Sequence, residues 1–187
     1  MNSASDAIRE LAIPDLSRAD RAAELREYVE QVFGVLHAPV FHYLISLTRN
    51  IAEAEDLTQE VFLRLHAELS AGRRIESMKA WCFKVAHNLA ASAGRRIQTE
   101  EHYLAASTNP EGGAYRNEVE DGLLRREQTE RVSAAMKKLT PMERQCLYLR
   151  TQGLIYREIA DVLGIRVPTV QTFVARAMKK VVKELHD

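Results

Sequence analysis

The chain is predicted to be all-α, with two small helical domains joined by a flexible linker. Three observations lead there. Apolar residues recur at helical spacing through most of the chain, and no run alternates β-branched and polar residues as a strand would. The stretch Asn109-Pro110-Glu111-Gly112-Gly113 interrupts that pattern with turn-forming residues. Charge is distributed in blocks, although the formal net charge is zero.

The blocks are informative. Residues 1–30 carry 7 acids and 4 bases, and 31–96 carry 6 acids and 8 bases. Residues 97–130 carry 8 acids and 3 bases, and 131–187 carry 5 acids and 11 bases. Five bases and no acid lie within Arg166–Lys183. An acidic middle followed by a basic end suits a nucleic-acid-binding module on a tether, and equally a solvated basic helix face. With 187 residues, 46% of them apolar and 28% charged, a fibrous chain, a fully disordered chain and a disulfide scaffold are excluded. No stretch is apolar enough for a membrane span, and Met1 to Asp20 lacks the pattern of a secretory signal, so a cytoplasmic location without membrane insertion is expected. Cys82 and Cys146 lie in separate apolar segments and read as reduced, buried thiols.

Residues 1–27 form an N-terminal extension without an assigned role, Pro14 marking a loose leader up to residue 24. A first domain is expected over 28–97. Tyr28 to Thr48 reads as one helix, bent at Pro39. Asn50 caps the next, with Glu53 three residues on, and that helix runs to Leu69. Ala71-Gly72-Arg73-Arg74 breaks it. A third helix covers Ser77 to Ala93, with Met78, Cys82, Val85 and Leu89 as its core stripe, and ends at Gly94. A linker occupies 98–128, with helix resuming near Glu118 and reaching Leu139. The second domain covers 129–187. There Thr140-Pro141-Met142-Glu143 reads as a capping box with proline at the first helical position. Helices follow over Pro141–Gln152, Tyr156–Leu163 and Pro168–Leu185.

The last two helices carry a helix–turn–helix spacing. Ala160 lets the second helix approach, Gly164 takes the left-handed turn, and Val170 locks the second helix down, with Ile159, Leu163, Ile165 and Val174 completing the core. An unspecialised helical hairpin is the alternative. At 100° per residue, Val170, Val174, Ala177 and Val181 form one stripe of the last helix, and Thr172, Arg176, Lys179 and Lys183 the opposite one, flanked by Gln171. That ridge suits a major groove, and Arg166, just before the helix, suits a phosphate. Phe173 falls beside the core stripe.

The helix after Asn50 is predicted to bury Leu57, Val61, Phe62, Leu65 and Leu69. Asp56, Gln59, Glu60 and Leu63 then share the outward face. A leucine among acids and an amide fits docking onto a basic, partly apolar partner helix; a solvated surface is the other reading.

The run AEDLTQEVFLRL from Ala54 to Leu65 resembles region 2.2 of bacterial extracytoplasmic-function sigma factors. AWCFKVAHNLA, Ala80 to Ala90, is similar to the family's promoter-melting helix. Leu139–Ala177 resembles region 4, its helix–turn–helix. The resemblance covers 28–97 and 129–186. It implies a sigma region 2-like bundle, a region 4-like domain, and a protein that binds core RNA polymerase and directs promoter-specific initiation.

By the same resemblance, Asp56, Gln59, Glu60 and Leu63 contact the β′ clamp helices. Arg73, Arg74, Trp81, Lys84, His87, Asn88 and Arg95 meet the -10 element, where aromatic rings and cations hold unstacked bases and track phosphates. Arg166, Thr169, Gln171, Thr172, Arg176 and Lys179 meet the -35 element. Promoter DNA, the β flap and an anti-sigma factor are the other implied partners.

The family often has a basic residue where Phe173 stands, and more polar side chains than Ala90 to Arg96 offer. A stand-alone helix–turn–helix regulator and a polymerase-binding adaptor with reduced promoter reading are the rival functions. No catalytic residue, metal site or cofactor is expected. The six histidines form no ligand spacing with a cysteine, and no phosphate-binding glycine loop is present.

Overall fold

In a computed structural model, the structure describes residues 21–103 and 135–186, and these contain six long helices. They are α1 (Arg21–Thr48), α2 (Ile51–Ser70), α3 (Met78–Tyr103), α4 (Pro141–Thr151), α5 (Tyr156–Leu163) and α6 (Val167–His186). The chain divides into two compact units, residues 1–112 and 113–187. Of the linker expected over 98–128, residues 98–103 belong to α3, and the rest lies outside the described residues, as does most of the N-terminal extension. The helix expected from Glu118 to Leu139 is described only from residue 135, is helical over 135–137 and has given way to a turn at Lys138 and Leu139.

In the first unit α1, α2 and α3 pack on one another. Helix α1 begins at Arg21, within the segment expected to be a loose leader, and runs through Pro39 uninterrupted. A proline inside a helix removes one backbone hydrogen bond. Here Val32, Leu36, Val40, Tyr43 and Leu44 are all almost fully buried and hold the helix by packing. The turn to α2 places Arg49 in the left-handed region at φ 57°. Asn50 then caps α2 as expected, its side-chain oxygen accepting from the Glu53 N–H at 3.2 Å. Gly72, at φ +73°, ends that helix.

Helix α3 departs from expectation in two respects. Its fully buried residues are Met78, Cys82, Phe83 and Ala86, and Val85 and Leu89 are only half-buried. The cause is α1: Tyr43, itself buried, meets the Phe83 ring edge-on at 5.4 Å. An aromatic pair removes more apolar surface than Val85 and Leu89 would and turns the helix to suit itself. Second, α3 passes through Gly94 without stopping. Gly94 does not adopt the left-handed conformation, no proline follows it within the helix, and one helical glycine costs only about 1 kcal/mol.

The second unit follows the expected order closely. Thr140 caps α4, its hydroxyl accepting from the Glu143 N–H at 3.3 Å while Glu143 Oε2 accepts from the Thr140 N–H at 2.9 Å. Arg144 donates to the Met136 carbonyl at 3.1 Å, tying the preceding turn to the new helix. Gly153, at φ 88°, makes the turn to α5. Ile155 N–H donates to Glu158 Oε2 at 2.9 Å and starts α5.

Gly164 ends α5 at φ 64°, ψ 31°, and Ala160 and Val170 are buried beside it. Ile159, Leu163 and Val174 are buried and Ile165 half-buried, which is the core a helix–turn–helix needs. A further cluster of Leu139, Leu147 and Ala177, joined by Met136 and Val181, seats α6 on α4.

A Cβ placed on Gly164 would meet nothing within 4 Å, so its requirement is purely one of backbone conformation. Gly164→Ala should therefore destabilise the chain by about 1–2 kcal/mol, the cost of holding an L-residue in the left-handed region. Urea unfolding of the variant against wild type measures it.

Candidate polymerase and nucleic-acid interfaces

Three ridges remain once packing is subtracted. On α2 the buried stripe is Ala54, Thr58, Val61, Phe62 and Leu65, and Leu57 and Leu69 are half-buried at its margins. The buried Thr58 was not legible from apolar spacing. Its hydroxyl donates to the Ala54 carbonyl at 2.6 Å and is thereby satisfied inside the core.

The opposite ridge carries Asp56 and Gln59, both exposed, with Glu60 half-buried. Glu60 Oε1 accepts from Arg64 Nε at 2.7 Å. Such an exposed pair contributes little to stability and leaves the carboxylate accessible to a partner. Leu63 is 66% exposed, the most exposed of the large apolar side chains among the described residues. The structure thus brings the four predicted residues together on one accessible face.

The second ridge is on α3. With Met78, Cys82, Phe83 and Ala86 inward, helical geometry puts Lys84, Asn88 and Arg95 outward. Asn88 and Arg95 are exposed and Lys84 is half-buried. Trp81 and His87 stand on the two flanks of this ridge, both half-buried. In the loop before α3, Arg73 and Arg74 are exposed, and Arg73 pairs with Glu68 at 3.1 Å.

His87 has an internal task besides its predicted one. Its Nδ1 lies 3.0 Å from the hydroxyl of Tyr43, and that bond ties α3 to α1. With Tyr43 donating, the neutral ring carries its proton on Nε2. Burial holds the His87 pKa below the ordinary 6.5, because the charged ring is poorly solvated there.

The third ridge is on α6. Arg166, Gln171, Thr172, Arg176 and Lys179 are exposed and Thr169 is half-buried. The Arg166 carbonyl accepts from the Thr169 and Val170 N–H groups at 2.9 and 3.2 Å, so the basic side chain stands at the helix start. The Thr172 hydroxyl donates to the Pro168 carbonyl at 3.0 Å, which leaves its oxygen lone pairs directed outward. Phe173 is half-buried beside Val174, off the basic ridge.

Cys82 and Cys146 are both free and buried. Burial pushes the Cys82 thiol up to about 12 and the Cys146 thiol to about 11, so neither forms a reactive thiolate at neutral pH.

Two family models match this architecture unit by unit: sigma-70 region 2 over residues 32–99 and sigma-70 region 4 over residues 129–181. The chain belongs to the extracytoplasmic-function sigma factors. Among curated relatives it is 27% identical to the RNA polymerase sigma factor YlaC of Bacillus subtilis, over 86% of this chain and 93% of that one. It is 28% identical to the extracytoplasmic-function sigma factor BldN of Streptomyces coelicolor, over 98% of this chain and 68% of that one. Among solved structures, the sigma factor RpoE of Bartonella quintana, in complex with the anti-sigma factor NepR, shares the fold. Its TM-score is 0.66 at 20% identity, covering 84% of this chain and 96% of that one.

The sigma factor's first unit should lose stability in mild acid through His87. The unfolded ring takes up its proton near pH 6.5, and the folded ring only at a lower pH. The stabilisation is therefore complete above 6.5 and falls as pH drops between the two values. His87→Gln should flatten that part of the profile, which urea midpoints at pH 7.5 and 5.5 compared between variant and wild type will measure.

Proposed function

We propose that this sigma factor grips core RNA polymerase through the α2 ridge and reads promoter DNA with the other two. Sigma factors of this family direct promoter-specific transcription initiation, and the polymerase performs the chemistry. Asp56, Gln59, Glu60 and Leu63 dock on the β′ clamp helices. The observation that carries this is Leu63, an exposed leucine on a ridge otherwise made of Asp56, Gln59 and Glu60. Acids at the edge steer and orient a basic helix, and the apolar side chain supplies contact area once water is excluded.

Strand separation at the -10 element falls to α3 and the loop before it. Arg73, Arg74, Lys84 and Arg95 follow phosphates, Asn88 offers both a donor and an acceptor, and Trp81, at the edge of the ridge, stacks the face of its ring on a base. His87 takes part from the flank while held by Tyr43. At the -35 element α6 enters the major groove. Arg166, Arg176 and Lys179 track the backbone, and Thr169, Gln171 and Thr172, near the helix start, address base edges.

The formal net charge of zero limits the pull of the free chain on DNA phosphates. That fits a factor that binds DNA weakly alone and depends on the polymerase for affinity. No helix among the described residues is long and apolar enough to cross a membrane, and the site of action is the cytoplasm, where the polymerase is. An anti-sigma factor that covers the same ridges is the regulatory partner; the Bartonella RpoE is itself in complex with an anti-sigma factor, NepR.

The test is template-independent at its first step. Full-length chain carrying Gln59→Ala/Glu60→Ala should bind core polymerase about tenfold more weakly than wild type, as removal of central interface contacts does. Its run-off transcription should fall in parallel, from templates recovered by selection with the wild-type holoenzyme. Equal binding by variant and wild type would refute the α2 grip.

A further inference from the structure

The basic run of α6 is not uniform. Arg176, Lys179 and Lys183 are exposed along one ridge, whereas Lys180, the next residue after Lys179, turns about 100° away from it. Its ammonium lies 2.6 Å from Glu143 Oε2 and 3.4 Å from the Lys138 carbonyl. The Glu143 side chain is 4% exposed and the Lys180 side chain 39%. The same Oε2 accepts the Thr140 N–H that opens α4. One helical turn further along α6, Glu184 pairs with Lys138. The C-terminal half of α6 is thus fastened at two points to the Lys138–Glu143 segment, beside the apolar cluster of Leu139, Leu147 and Ala177.

Apolar contacts alone resist sliding and rotation of a helix only softly, because a leucine or alanine meets a shifted neighbour nearly as well. A buried carboxylate is stricter: it must keep a donor within hydrogen-bond reach or stand unpaired in a poorly solvated site. The Lys180 ammonium and the Thr140 N–H, the largest influences on it, hold the Glu143 carboxyl below its usual range, so it is ionised at neutral pH.

We propose that Lys180 and Glu143 are a positioning pair that sets the rotation and axial register of α6, and that Lys180 is not itself a phosphate contact. The proposal rests on the reading of the Thr172–Arg176–Lys179 ridge as the -35 interface.

The pair makes a prediction opposite in sign to simple electrostatics. Removing an acid near DNA ordinarily strengthens binding, by relieving repulsion from phosphates. Glu143→Gln keeps an acceptor for the Thr140 N–H but loses the charge that holds Lys180, so here binding weakens.

The probe is the duplex recovered from a random-sequence pool by holoenzyme assembled from core polymerase and the full-length chain. Binding is measured against salt, well below the unfolding temperature, for wild type, Glu143→Gln, Lys180→Gln, the double variant, Lys180→Arg and Lys179→Gln. A second duplex carries substitutions in the upstream bases that the selection fixed. Lys179→Gln should lower the salt slope by about one, as loss of one phosphate contact does. Glu143→Gln and Lys180→Gln should each weaken binding about tenfold, the size of one charge-assisted hydrogen bond, with the slope unchanged.

Both should also discriminate less between the two duplexes, which a plain loss of stability would not cause. The double variant should lose no more than the worse single, because the interaction can be broken only once, and Lys180→Arg should recover most of the affinity. Lys180 is partly exposed, so its two variants carry the test if Glu143→Gln fails to fold.

A slope lowered by one in Lys180→Gln, undiminished binding by Glu143→Gln, or unchanged discrimination overturns the pairing and leaves the DNA ridge standing. An unchanged slope in Lys179→Gln overturns the ridge and the pairing together.

Discussion

What each helix offers a partner is decided by which of its stripes is used for packing. Both units are small, and each depends on an inward apolar stripe from every one of its helices. In α2 the stripe of Ala54, Thr58, Val61, Phe62 and Leu65 turns inward. That places Asp56, Gln59, Glu60 and Leu63 outward with no further device. The same subtraction yields Lys84, Asn88 and Arg95 on α3, and Arg176 and Lys179 on α6. Function here is the complement of the core, and a rotation of any helix by one residue would exchange the two.

This is why the side chains that fix rotation matter more than their number suggests. Apolar stripes are broad and tolerate several phases. Helix α3 shows the ambiguity, because Met78, Trp81, Cys82, Phe83, Val85, Ala86 and Leu89 cover more than half its circumference. Periodicity alone selected Val85 and Leu89 for the core. The packing of Phe83 against Tyr43 chose otherwise, and the hydrogen bond from Tyr43 to His87 pins the choice. No local pattern announces a partner 44 residues away. The same limit hid Lys180, whose partner Glu143 is 37 residues distant and already had a visible local duty as a capping residue.

What was legible was local. Asn50 with Glu53, Thr140 with Glu143, and Gly164 between Ala160 and Val170 each declare their geometry within a few residues, and the structure places them as expected. The order of helices followed from such signals, and the outward face of Asp56, Gln59, Glu60 and Leu63 from helical periodicity. Element ends were read less well where no stop signal was decisive. Gly94 reads as a terminus from the sequence, yet a single glycine is only a modest cost to a helix. The start of α1 at Arg21 was missed because the first turns of that helix are polar. Arg49 in the left-handed region was also invisible, since that conformation usually selects glycine or asparagine.

The run Leu139-Thr140-Pro141-Met142-Glu143-Arg144 gains a physical explanation from these contacts. Leu139 enters the cluster that seats α6, Thr140 caps α4, and Pro141 fills the first helical position, where no N–H is required. Glu143 closes the cap and holds Lys180, while Arg144 reaches back to the Met136 carbonyl. Six consecutive residues thereby connect the turn before α4, the start of α4 and the far end of α6. A capping box by itself needs only Thr140 and Glu143. The additional burial of Glu143 against a lysine two helices away goes beyond what the cap needs, and it fits the proposal that the angle of α6 is held for a helix presenting a few side chains to a groove of fixed width.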